Sequence, residues 1–257
     1  MTSTPDYFVL FADMLGFKQL VLRHRVPYPE NLEFRGRIFA RPERPNPAAA
    51  TGNPLGEAFR TFHRTANDCL NYKVWRAPVS VIIFSDSLFL ATTNAEDCME
   101  FTETMMIKGL NRDMPLRMGI GLGSFVRYGF AYEDDPNVKY SSAQFFGSGV
   151  VHAVDAEGSI KGIRVAVHPS AVAALTPNHP TRLVPLPASQ VTANASHELN
   201  YIPQYPDPVG DLQFHGEIRA KVHELAAAAP KEPRVQIQYT EAISALDRMA
   251  AVLEGRR

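Results

Sequence analysis

Short apolar runs closed by a lone carboxylate or a glycine set the pattern of the first half of this chain. Residues Tyr7 to Ala12 are nearly continuous apolar sequence of strand type, and Gly16 turns the chain into a helical stretch from Phe17. Asp13 is therefore expected at the end of a buried strand. From Leu55 to Trp75, apolar residues at 55, 58, 59, 62, 66, 69, 70 and 74 keep the three-to-four spacing of an amphipathic helix. Val79 to Phe84 and Leu88 to Ala91 are two β-rich runs joined by Ser85-Asp86-Ser87, which predicts a hairpin with an acidic tip.

Ala95 to Leu110 has the pattern of a further helix. The strand Leu116 to Ile120, a glycine-rich turn and a strand through Val126 to Tyr132 come next. Phe145-Phe146-Gly147 introduces a helix from Ser148 to about Glu157. A strand Ile163 to Val167 and a short helix after His168-Pro169 follow. Beyond about residue 186 the pattern weakens. Phe214 to Ala228 and Val235 to Leu253 are then two alanine-bearing helical stretches separated by Pro230 and Pro233. The expected organisation is a domain over 1–186, a Pro/Arg-rich excursion at 26–54 and a helical C-terminal appendage over 187–257. Apolar positions 239, 243, 246, 249, 250 and 253 suit packing on the core or on a partner chain, with core packing the safer expectation.

With 45% apolar residues over 257 positions, the chain can bury a substantial core. Its formal net charge of -1 gives no general attraction for a nucleic-acid polymer or an anionic membrane, so any anion site must be local. Cys69 and Cys98 are expected to be reduced, buried thiols, with no disulfide framework or thiolate metal site. The N-terminus lacks the features of a signal peptide or a membrane span, which leads to a cytoplasmic expectation.

The segments FADMLGF and IIFSDSLFL each set one charged residue among apolar neighbours, where an uncompensated carboxylate is costly. An Asp at a strand end is by itself more often a turn or cap residue. Two of them at adjacent strand tips suit a pair of divalent ions, Mg²⁺ or Mn²⁺, bridging a phosphate, since both metals prefer oxygen ligands. GIGLG at 119–123 lacks the lysine and Ser/Thr pair of a P-loop and the third Rossmann glycine, and is read as a tight strand turn. The histidines show no HExxH pattern, so no zinc site is assigned. The arginine-rich excursion is locally basic and suits a triphosphate tail, with a solvated loop as the plainer reading.

With FADMLGF, FSDSL, LRMGIGLGSF and FGSGVVHAVDAE in this order, residues 6–170 resemble the class III nucleotidyl cyclases. The resemblance implies a ferredoxin-like α/β (α+β) catalytic domain working as a homodimer with its active sites at the subunit interface. It implies that Asp13, Asp86 and the backbone carbonyl of Met14 hold the two metal ions. It also implies that Phe17, Ser80, Gln144 and Arg117 serve the nucleotide.

Against that pattern, Val151 stands where an asparagine positions the ribose, and Asp155 where an arginine stabilises the transition state. A carboxylate cannot serve phosphate charge as a guanidinium does. Arg76, Arg117, Arg127 and Arg164 are alternative candidates for the replacement charge, and each has at least as good a reading as a surface strand residue with a solvated head group. His152 is expected to be structural. Ser80 and Gln144 replace the charged pair that reads a purine, and a glutamine amide both donates and accepts. These departures resemble the pyrimidine cyclases of bacterial Pycsar anti-phage defence, which implies UTP, or alternatively CTP, as substrate. A nucleotide sensor without catalysis is the reading of another class. Tyr28, Phe34 and Phe39 are candidates for narrowing a base pocket.

Overall fold

A computed structural model describes residues 5–23, 54–131, 141–176, 182–202 and 208–255. The excursion with Tyr28, Phe34 and Phe39 therefore lies outside the described residues, apart from Pro54.

The short apolar runs of the sequence become two-faced strands. In β1 (Tyr7–Met14), Phe8, Leu10, Ala12 and Met14 enter the main core, while Val9 enters a second, smaller cluster with Tyr7 and Phe11 packed against it. After the short helix α1 (Phe17–Arg23), α2 (Pro54–Tyr72) buries Phe62, Thr65, Ala66 and Cys69 along one stripe. The strands β2 (Val79–Phe84) and β3 (Ser87–Thr92) form the expected hairpin, closed by a turn of only Ser85 and Asp86, with Ser85 at φ 50. Helix α3 (Ala95–Asn111) starts where the Asn94 side chain accepts from the Asp97 N–H, and it buries Met99, Phe101, Met105, Met106 and Leu110.

With β4 (Leu116–Gly123), these elements complete a β1-α-β2-β3-α-β4 unit in the spatial order β2-β3-β1-β4, all neighbours antiparallel. That arrangement is the expected ferredoxin-like α/β fold. The sheet continues to seven strands through β7 (Val165–Val167), which is parallel to β4, then β9 (His197–Leu199) and β8 (Leu183–Pro185). Between β4 and β7 the chain makes a separate two-stranded sheet, β5 (Val126–Ala131) with β6 (Ser141–Phe146), and the helix α4 (Ser148–Ser159). Helix α5 (Pro169–Leu175) follows β7, with the His168 ring accepting from the Ser170 N–H at its start.

The C-terminal helices are α6 (Pro208–Ala228) and α7 (Pro233–Glu254). Ile218, Val222, Leu225, Ala242, Leu246, Met249 and Leu253 all join the main core, so core packing is the outcome of the two alternatives for the apolar stripe. Cys69 and Cys98 are buried free thiols, as expected. Among the described residues, no helix is long and apolar enough to cross a membrane.

The helix after Phe145-Phe146-Gly147 starts at Ser148 as expected, and the two phenylalanines themselves close the strand β6, which cross-strand pairing with β5 at Val126 and Arg127 sets. One sequence expectation is corrected. GIGLG is not a turn: Gly119 to Gly123 are the second half of β4. The glycines are there because α4 lies directly on that face. A Cβ on Gly119 would come 2.1 Å from the Ala153 carbonyl oxygen, and one on Gly121 would come 2.7 Å from the Ala153 nitrogen.

Candidate active site

Strand alternation puts Asp13 on the face of β1 that carries Val9 and Phe11, beneath the helix α4 rather than in the main core. Register sets its neighbours: Ser87 lies opposite on β3 and Arg117 opposite on β4. The Ser87 hydroxyl donates to Asp13 Oδ1 at 2.9 Å. Asp86 sits in the hairpin turn at the same strand end, where its carbonyl accepts from the Met14 N–H at 3.0 Å. Leu15 N–H then bonds the Pro115 carbonyl, tying the turn after β1 to the start of β4. Asp13, Met14 and Asp86 are thus neighbours at one strand end.

Burial raises the Asp13 carboxyl above its ordinary value. The Ser87 hydrogen bond opposes the rise, the Asp86 charge adds to it, and Arg117 opposes it more weakly. Arg117 does not close on Asp13, because its Nε donates to the carboxylate of Glu157 on α4. Glu157 is itself pushed up, mainly by burial, with Arg117 opposing and Asp13 adding to the rise. Two half-buried carboxylates and one buried one therefore share a single arginine. Such a site is short of positive charge.

The donor set fits a hard divalent cation. Among the described residues no group of three or more His, Cys, Asp or Glu side chains is placed to hold a metal. A cation here would be held by Asp13, Asp86 and a backbone oxygen at Met14. Mg²⁺ suits so few protein ligands because it keeps several waters and takes phosphate oxygens.

The other expected site residues are dispersed within one chain. Phe17 is buried in the main core and lines a cavity of about 450 Å³ with Met14 and Tyr239. Ser80 lies near the far end of β2, roughly 13 Å of strand before Phe84. Gln144 is exposed on β6, opposite Tyr128. Val151 and Asp155 are both exposed on α4. Of the candidate arginines, Arg76 pairs with Asp97 and Glu100, and Arg117 with Glu157. Arg164 is 1% exposed and bonded to Glu198, so its reading as a solvated surface residue is overturned. Arg127 is exposed on β5. His152 donates from Nδ1 to the Leu122 carbonyl at 2.9 Å and stacks on His168 with ring centroids 4.1 Å apart.

Two site residues escaped the sequence reading. Ser87 stood beside Asp86 in the SDS motif, and its hydroxyl was the available signal. Glu157 carried no signal of its own, since its role depends on α4 lying across β4.

The face holding Asp13 is also aromatic. Phe11 and Phe89 stack at 4.7 Å, Phe89 meets Phe145 at 4.9 Å, and Tyr128 stacks on Phe146 at 5.7 Å. Phe84, Tyr128, Phe146 and Val151 remain exposed.

No family model matches the chain, and no curated protein matches it either. Several solved structures are similar in fold. The adenylyl cyclase CyaB from P. aeruginosa has 10% identity over 79% of this chain and 96% of its own, with a TM-score of 0.49. Adenylate cyclases from Trypanosoma brucei in their monomeric state include one with 12% identity, covering 78% of this chain and 90% of that one, TM-score 0.49. The guanylate cyclase domain of RhGC from Catenaria anguillulae, in complex with GTP, has 13% identity over 76% of this chain and 93% of its own, TM-score 0.43.

Proposed function

We propose that this protein is a nucleotidyl cyclase that converts UTP into 3′,5′-cyclic UMP and pyrophosphate, as a homodimer, in anti-phage signalling of the Pycsar type. The observation that carries the reading is the charge deficit at the Asp13 and Asp86 strand end. There, burial and the neighbouring Asp86 raise the Asp13 carboxyl while the nearest arginine is held by Glu157. Two divalent ions, when bound, supply the positive charge that lowers the pKa of the ribose hydroxyl and offsets charge on the leaving oxygen.

The chain's own residues do the rest. Asp13 and Asp86 anchor, and the Ser87 hydroxyl fixes the orientation of the Asp13 carboxylate. In the reaction the 3′-oxygen bonds to the α-phosphorus, the bond to the bridging oxygen of the β-phosphate breaks, and the hydroxyl proton passes to solvent. Ser80 and Gln144, both uncharged, support a pyrimidine through paired donor and acceptor contacts, with CTP the alternative to UTP. The homodimer is supported by the exposed Phe84, Tyr128, Phe146 and Val151, an apolar area suited to burial against a second copy. The dimer would also bring Gln144 of one protomer toward its partner's carboxylate pair.

A second reading, a nucleotide sensor without turnover, is favoured by Asp155 on α4 and by the commitment of Arg76, Arg117 and Arg164 to carboxylates. One experiment separates them: the purified protein is incubated with each ribonucleoside triphosphate and Mn²⁺, and products are identified by mass. Cyclic UMP from UTP is expected. Cyclic CMP alone would shift the substrate to CTP, a cyclic purine product would overturn the pyrimidine assignment, and binding without product would leave the sensor.

A further inference from the structure

Away from the carboxylate pair, the end of α4, the β8–β9 connection and α7 enclose a recess of about 280 Å³. Its lining includes Lys161, Arg164, Gln190, Thr192 and Glu241. Arg164 is a buried guanidinium that bonds Glu198 Oε2 through Nε at 2.8 Å and lies 3.6 Å from Glu241 Oε2 through Nη1. Its Nη2 has no hydrogen-bond partner, and neither has Gln190 Oε1, although both atoms are shielded from solvent. Gln190 is fixed in this orientation because its Nε2 donates to Glu241 Oε2 at 2.8 Å. The recess thus presents one unspent buried donor and one unspent buried acceptor, each costly if left so.

Charge and hydroxyls add to this. Glu198 is already held by both Arg164 and Arg248, and Lys161 stands exposed at the rim. Arg164 and Arg248 balance Glu198 and Glu241 in formal charge, and the rim Lys161 adds one positive charge. Thr192 Oγ1 accepts from the Asn194 and Ala195 N–H groups, leaving its own proton to donate. Glu241 is the opposing feature, a carboxylate in the recess that repels an anion.

We propose that this recess binds hydrogen phosphate. Arg164 Nη2, Lys161 and the Thr192 hydroxyl donate to its oxygens, and its remaining P–O–H donates to Gln190 Oε1. The last contact sets the selectivity. Sulfate has no proton to give at neutral pH and would strand the buried acceptor, whereas hydrogen phosphate satisfies both orphaned atoms. The inference stands independently of the nucleotide reading, since none of these residues belongs to the carboxylate pair.

The test is calorimetric titration of the full chain at pH 7 with sodium phosphate and, separately, sodium sulfate, in sodium chloride at matched ionic strength. Phosphate is expected to bind at least about tenfold more tightly than sulfate. Lys161→Ala, an exposed position, should weaken phosphate about fivefold. Glu241→Gln removes the repelling charge while keeping an acceptor for Gln190, and should tighten binding. The exposed Lys231→Ala, remote in sequence from the recess lining, should change nothing. Phosphate heats that are absent in both the wild type and Glu241→Gln would overturn the proposal. So would binding that is unaltered by Lys161→Ala and Glu241→Gln, since the anion would then sit elsewhere, or equal affinity for sulfate.

Discussion

Two carboxylate clusters in this protein use the same chemistry to opposite ends. At Glu198 the carboxylate is fully answered: both oxygens are engaged, by Arg164 at 2.8 Å and by Arg248 at 2.8 Å, and Glu198 is fully buried. Around Asp13 the sums do not close, because one hydroxyl donates to it, Asp86 repels it and Arg117 is turned to Glu157. The first arrangement holds the later sheet strands and α7 together. The second leaves two carboxylates short of positive charge at one strand end, the condition a cation or a phosphate-bound metal needs. A carboxylate whose oxygens are both met by cations ties elements together, and one left short of cations is open to an added one.

The contrast can be broken most forcefully at the incomplete end. Asp86→Ala is expected to reduce product formation to background, measured by mass spectrometry, while leaving the thermal unfolding midpoint nearly unchanged, because it removes charge from a half-buried turn that no core side chain depends on. Turnover that survived would detach the pair from catalysis. At the complete end the signature reverses: Glu198→Ala strands Arg164 and should cost about 3–5 kcal/mol in urea unfolding.

A smaller effect is expected where α4 meets the sheet. Gly121→Ala forces a Cβ within 2.6 Å of the His152 Cβ and should cost about 1–3 kcal/mol. The same change displaces α4, and with it Glu157, so turnover should fall further than stability alone explains.

The smallest effect is in pH dependence. A carboxyl raised by folding favours the protonated state, so the native protein is most stable below the ordinary carboxylate value. It loses that stability as pH rises through the raised value. Asp13→Asn should therefore stabilise the metal-free protein above the ordinary value, by less than about 1 kcal/mol at this partly solvated position. Chemical unfolding from pH 4 to 8 in EDTA would measure it as a difference between the two proteins. The comparison must be a difference because Glu103 on α3, pushed up to about 8 mainly by burial, contributes a slope of the same sign to both. Added Mn²⁺ should stabilise the wild type and not Asp13→Asn.

Local pattern made β1 to β4, the hairpin tip and the long helices legible, since an alternation of two or a spacing of three to four is written in neighbouring residues. It placed Asp13 and Asp86 each at a strand end. It misread GIGLG, because glycine in a strand and glycine in a turn look alike until the helix that lies on them is known. It missed β8 and β9, strands of three residues each that exist by pairing, β9 with β7 and β8 with β9, rather than by propensity.

What the amino-acid order determined by itself, then, is which residues face inward and where the strands carrying the two aspartates end. The tertiary structure alone decided which charges are answered. Arg117 meets Glu157 from 40 positions away, and Arg164 meets Glu198 from 34, distances over which no periodicity carries information. Charges are paired by packing across the fold, and so the surplus at Asp13 becomes visible only once the helix α4 has been laid over its glycines.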